Sequence, residues 1–414
     1  MMRSTRRRRE AGFSLMEMLV VVAVSAVVLI IAYQVLEESY RTASSLEARN
    51  ELNLLAQRPA NAIQTAVYQA RTIFDNDLAG IGMGYYNRIV TQLPANFVPA
   101  PGTLLPNLAP AATLTDDVVG TRWVGNCLLV ARQMPPVFVN YDHDSNAATA
   151  MVPFPIDRFR FEMFYLRQCD KTVVARACAG RRGFGGTNFV YDLVRVRTID
   201  FADFFQLSPL INNDPTTGGN AVPPFVLAQR QQIVAGLVSA GLTRAWDPSP
   251  SMAVTASFYT VTTSGGNVGR MTLQANPTLN LYTTPSSVNT EILRGASIAG
   301  NVEYSMGFRK PGETENVSLA LNLQPANQDA QFDYLSRMSS TTTSGTPIIS
   351  VLRIPRFAAN DVVTGTFPSG FEVKVGGVGA GQRVLVRTMV IARYSANRYD
   401  AQESIVVAAR GLSL

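Results

Sequence analysis

At 414 residues and 44.9 kDa, with 47% hydrophobic and 16% charged residues, the chain is long enough for two globular units and too apolar to be disordered. One histidine and three cysteines exclude most zinc enzymes and any disulfide-dense scaffold. The net charge of +6 is concentrated at the start: Arg3, Arg6, Arg7, Arg8 and Arg9 face only Glu10 within residues 1–12, so the remainder is nearly neutral.

Phe13 to Tyr33 is an apolar run of 21 positions. At about 1.5 Å rise per residue it spans about 30 Å as a helix, the thickness of a bilayer core. The preceding arginines keep the N-terminus cytoplasmic and send residues 34–414 across the membrane. A secretory signal peptide would need a small-x-small cleavage site after the run, and Tyr33-Gln34-Val35-Leu36-Glu37-Glu38 offers none. An ordinary signal anchor leaves Glu17 unexplained, because a carboxylate in an apolar helix is costly and marks function.

Gly12-Phe13-Ser14-Leu15-Met16-Glu17, after a short basic leader, resembles the type IV prepilin signal over residues 1–33. The resemblance implies cleavage by a prepilin peptidase between Gly12 and Phe13 and methylation of the new amine on Phe13. It also implies pairing of the Glu17 carboxylate with the terminal amine of a neighbouring subunit. Two opposite charges in a helical core or in lipid are costly alone and tolerable as a pair.

Leu36, Tyr40, Ala43 and Leu46 extend the helical period past Tyr33, and Pro59 is expected to kink or break the helix. Ile63, Val67, Ala70, Phe74 and Leu78 then read as a second helical stripe, ended by Gly80, Gly82 and Gly84 acting as terminator and hinge. Residues 85–121, with five prolines and no lasting period, read as a long connecting loop.

From about Arg122 the pattern turns to β. Phe159, Phe161, Met163 and Tyr165 alternate with Arg158, Arg160 and Glu162 as a half-buried strand. Residues 191–199 and 383–394 behave similarly, with Arg195, Arg197, Arg383 and Arg387 outward. Pro223-Pro224 opens a helix whose face is Val226, Ile233, Val234, Leu237 and Val238, ending at Gly241. Further strands are expected at 251–262, 300–308, 316–323, 347–357, 371–375 and 403–410, and Gly376 to Gly381 as a hairpin loop. There is no internal repeat.

His143 lies in Asp142-His143-Asp144-Ser145-Asn146, which starts like a calcium loop. Ala147 stands where that loop needs glycine and Pro153 where it needs glutamate, so an ordinary polar turn is expected. No Gly-x-Ser-x-Gly elbow, His-Glu-x-x-His helix or phosphate-binding loop is present, and neither a catalytic site, a metal nor a cofactor is expected. In an oxidising periplasm Cys169 and Cys178 are close enough to staple the loop carrying Asp170, Lys171 and Arg176, leaving Cys127 free or buried. Arg181-Arg182 with Phe184 is a local cationic cluster, but the near-neutral remainder argues against nucleic-acid binding as a general activity.

The expected fold is α+β and pilin-like: a long N-terminal transmembrane and amphipathic helix packed on an antiparallel sheet, with a large additional β-rich domain. The divisions are a leader at 1–12, a membrane or filament-core helix at 13–33, its amphipathic continuation at 34–79, a pilin-like domain at 80–205 and a β-rich domain at 206–414. The size, the long helix and Asp77-Leu78-Ala79-Gly80 resemble the PilW family of minor pilins. That resemblance implies an inner-membrane protein with a periplasmic head that later enters a pilus through the inner-membrane assembly platform. It implies other minor pilins, the major pilin and a PilY-type tip adhesin as partners, in priming assembly and in adhesin display. The alternatives are a pseudopilin of type II secretion and, from another class, a membrane-tethered periplasmic enzyme.

Overall fold

The computed structural model describes residues 14–77, 79–100, 103, 105–109, 124–142, 151–170, 189–212, 227–249, 257–263, 271–282, 290–294, 297–299, 302–306, 371–395 and 398–411. In chain order, α1 (Leu15–Tyr68) leads into β1 (Ala70–Phe74), α2 (Ile81–Val90), β2 (Leu108–Ala109) and β3 (Val124–Gly125). Next come β4 (Cys127–Asp142), β5 (Met151–Asp170), β6 (Phe189–Arg197), β7 (Phe201–Asp203), α3 (Phe204–Asn212) and α4 (Leu227–Ser239). Then follow β8 (Arg244–Trp246), β9 (Phe258–Thr263), β10 (Met271–Ala275), β11 (Thr290–Arg294), β12 (Ser297–Ala299) and β13 (Val302–Met306). β14 (Phe371–Gly376), β15 (Arg383–Ser395) and β16 (Arg398–Ala409) complete the chain. The protein is therefore mixed α+β with an N-terminal apolar helix.

The chain parts into two units, residues 1–51 and residues 52–414. In the second, the described strands form two sheets. One is nine-stranded, running β1-β4-β5-β7-β8-β9-β10, with β6 beside β5 and β11 beside β6. The other is seven-stranded, running β12-β13-β15-β14-β2, with β16 on β15 and β3 on β14. Pairing is antiparallel except for β7 with β8 and β14 with β2. β5 carries the first sheet, since β4 lines one edge while β6 and β7 share the other. Pro135-Pro136 cannot donate to the ladder, and the β4–β5 register shifts between Met134 and Val137.

Both faces of that sheet are covered. Leu52, Ala56, Ile63, Ala66 and Val67, at helical spacing on α1, share one core with Leu128, Val130, Phe164, Leu166 and Leu193. The same core takes in Phe371, Val373, Val384 and Val386 of the second sheet. On the other face Tyr85, Tyr86 and Ile89 of α2 meet Phe159, Phe161, Met163, Tyr165, Trp246 and Phe258. Trp246 Nε1 donates to Tyr85 Oη at 2.9 Å, which satisfies a polar group inside this aromatic cluster. Ile233, Val234 and Leu237 of α4 form a third core with Val139, Tyr141 and Ile156.

Several expectations are corrected. α1 is not broken at Pro59, but it ends at Tyr68, and the supposed second stripe is split. Thr72, Ile73 and Phe74 favour β structure, and as β1 they pair with Leu129, Val130 and Ala131 on the edge of β4. The C-terminal carbonyls of α1 are met from distant chain: Gly411 N–H donates to Tyr68 O at 2.9 Å, and Gln133 N–H to Gln69 O at 2.8 Å. The glycine cluster at 80–84 opens α2 instead of ending a helix. A Cβ on Gly82 would sit 1.8 Å from Asp75 O, so this turn of α2 approaches the backbone more closely than any side chain permits. The expected loop at 85–121 thus begins with helix. Across residue 205, β7 pairs with β8 and β6 with β11.

α4, β9, β13, β14 and β16 fall at sites where a helix or strands were expected, and Gly376–Gly381 joins β14 to β15 as a hairpin. The strands expected at 316–323 and 347–357 lie outside the described residues, as do His143, Asp144, Asn146, Arg181, Arg182 and Phe184.

Candidate functional site

Within residues 1–51 the described structure is α1 from its first turn. Leu15 to Ala43 is long and apolar enough to cross a membrane, reaching ten residues beyond the run expected to end at Tyr33. None of its most apolar stretch is buried within the chain: Leu19, Val22, Leu29 and Ile31 are all more than half exposed. Such a surface needs lipid or other helices around it.

The helix begins on a reciprocal pair. Ser14 N–H donates to Glu17 Oε2 at 2.9 Å, and Glu17 N–H donates to Ser14 Oγ at 3.2 Å. This is the Ser-x-x-Glu capping box, which satisfies backbone donors that a helix start leaves open and sets a negative charge at the positive end of the dipole. Ser14-Leu15-Met16-Glu17 displayed that spacing in the sequence, but the reading of Glu17 as a docking group obscured it. Gly12 and Phe13, the residues of the expected cleavage and methylation, lie outside the described residues. So do Cys178 and the side chain of Cys169, whose backbone pairs with Val190 on β6. Cys127 is free and fully buried opposite Tyr165, and burial pushes its thiol well above the ordinary range, so it is an inert core residue.

The segment carrying the PilW-like tetrapeptide serves the start of α2. Asp77 Oδ1 accepts the Gly82 N–H at 3.3 Å, and Asp77 O accepts the Gly80 N–H at 3.1 Å. Among the described residues no three His, Cys, Asp or Glu side chains are grouped to hold a metal.

A second group of charged side chains was missed as a group: the alternation picks out Arg158, Arg160, Glu162, Arg195 and Arg197, but not Arg58, Arg132, Asp200 or Glu291. Arg132 on β4 donates from Nη1 to the fully buried Glu162 on β5 at 2.9 Å. Arg195 approaches Glu162 at 4.0 Å and also pairs with Glu291 on β11, which takes Arg197 at 3.3 Å and Arg58 of α1 at 3.0 Å. Asp200 accepts from Arg160 Nε at 2.6 Å and from Arg158 Nη1 at 3.1 Å. Period-2 alternation sets Arg158, Arg160 and Glu162 on one side of β5 and Arg195 and Arg197 on one side of β6, but could not reveal that α1 covers part of that face.

Residues 7–33 match the family described as the prokaryotic N-terminal methylation motif, which supports a type IV prepilin-like protein, pilin or pseudopilin. The matched stretch holds three of the leader arginines, the Gly12-Phe13 junction, Glu17 and the whole Phe13–Tyr33 apolar run. No curated protein and no solved structure matches the chain. The single N-terminal apolar helix agrees with a membrane-anchored prepilin.

Proposed function

We propose that this chain is a minor type IV pilin of the PilW kind. It is cleaved after Gly12, methylated on Phe13, and held in the inner membrane with residues 34–414 in the periplasm until it enters the pilus. It acts near the tip, where with other minor pilins it primes assembly of the major pilin and supports a PilY-type adhesin. It performs no catalytic turnover and needs no cofactor.

The observation that carries this reading is the combination of a methylation motif at 7–33 with a compact unit that runs from residue 52 to residue 414. A head of that size strains dense helical packing in a shaft and is tolerated at a filament end. Weak contacts between heads suffice there, because the membrane helices hold partners at high effective concentration.

Deletion of the chain is expected to cut pilus number or adhesin display while major pilin levels stay normal, and immunogold is expected to mark filament ends or the envelope. Uniform labelling along the shaft contradicts the tip position. Loss of protein secretion with normal pili would transfer the chain to the pseudopilins.

A further inference from the structure

The nine-stranded sheet carries a cleft of about 470 Å³, formed where the edge of β5 passes from β6 to β7. The Thr198–Asp200 link closes one side and the Ala240–Arg244 turn, leading from α4 into β8, closes the other. Four arginines line it, Arg158, Arg160, Arg197 and Arg244, against one carboxylate, Asp200. The surrounding network does not restore neutrality. With Arg58, Arg132 and Arg195 added, six arginines share Glu162, Glu291 and Asp200, and Arg244 stands outside these pairs.

The existing bonds aim the guanidinium groups without saturating them. Asp200 takes Arg160 through Nε, and among the described residues both Nη atoms of Arg160 have no acceptor. Arg158 spends Nε on Pro135 O and Nη1 on Asp200, leaving Nη2 without an acceptor among the described residues. The Arg244 guanidinium has no acidic partner among the described residues, and burial alone lowers its pKa from the usual value. Burial also lowers that of Arg197, with Arg195 and Arg160 adding repulsion. A half-buried, oriented and under-compensated set of guanidinium forks is what carboxylate and phosphate oxygens bind bidentately.

We infer that this cleft is a binding site for a small organic polyanion, a ligand bearing two or more carboxylate or phosphate groups on a sugar-sized frame. Its volume falls within the range of about 300–1,000 Å³ usual for small-molecule sites. Its concavity suits such a ligand better than the face of a duplex or a bilayer. The inference does not rest on the pilus assignment and applies equally to a pseudopilin.

The test uses the detergent-solubilised full chain, titrated calorimetrically with pyrophosphate, with digalacturonate and with neutral maltose. Saturable binding of at least one anionic probe is expected, with maltose silent. Arg244→Gln is expected to weaken it about tenfold or more, the worth of a charge-assisted hydrogen bond. Ala240→Glu, at an exposed position on the rim, is expected to weaken it similarly by setting a carboxylate among the arginines. Should Arg244→Gln fail to fold, the Ala240→Glu result decides. Absence of saturable binding of both anions up to about 10 mM, binding of maltose as tight as theirs, or binding that either folded variant leaves intact overturns the inference.

Discussion

Glu17 has one role in the structure and a second, proposed one, and the two are separable. It completes the capping box with Ser14, and on the proposed reading its charge also meets the Phe13 amine of a neighbouring subunit. Glu17→Ala removes both roles and is expected to leave leader cleavage intact while reducing incorporation into filaments. Glu17→Gln keeps the cap, since glutamine serves at that position, but removes the charge. If charge pairing drives docking, both variants are depleted from sheared pili relative to membranes. Recovery by glutamine would reduce Glu17 to a cap, and wild-type incorporation of the alanine variant would end its docking role. Glu162 is the opposite kind of residue, legible as polar but not as buried. Alternation along β5 sets it with Arg158 and Arg160, and only the tertiary structure shows it at 0% exposure against Arg132. Glu162→Ala takes the carboxylate from Arg132, which stays partly exposed and bonded to Gln69, and is expected to cost about 1–3 kcal/mol, read as a lowered unfolding midpoint of the full chain.

At the scale of elements, period succeeded where one face alone is buried and failed where both faces are or where the chain changes direction. The α4 face of Ile233, Val234 and Leu237 was readable because one stripe meets one core. The stretch from Ile63 to Phe74 kept an approximate helical spacing across two different elements, since Ala70 and Phe74 are buried as strand residues on β1. What ends α1 lies at the opposite end of the sequence, in Gly411, and no local signal announces it. A Cβ there would stand 2.6 Å from Tyr68 O, so Gly411→Ala must displace the Gly411–Tyr68 hydrogen bond. The expected loss is about 1–3 kcal/mol, with faster amide exchange in the last turn of α1. Unchanged exchange at residues 65–69 would show that the chain end caps nothing.

At the scale of the whole second unit, Glu291 is the joint where separate stretches of sequence meet. It sits on β11 and is held by Arg195 and Arg197 of β6 and by Arg58 of α1, contacts about 90 to 230 residues apart in sequence. Sequence patterning places each partner on its element and cannot choose among the carboxylates available to each, which is why this joint was not foreseen. Burial by itself would raise the Glu291 pKa. The hydrogen bond and charge of Arg195, with help from Arg58 and Arg197, outweigh burial and hold it below its usual value. A depressed carboxylate stabilises the fold above its unfolded pKa, about 4.3 for glutamate, and that contribution is lost as pH falls through the lower folded value. The full chain is therefore expected to lose stability on acidification below about pH 4, and Glu291→Gln is expected to be less stable near neutrality and flatter in that acid range. Denaturant midpoints of both proteins measured from pH 7 to pH 3 test this. Parallel acid profiles would show that Glu291 does not tie β11 to β6 and α1.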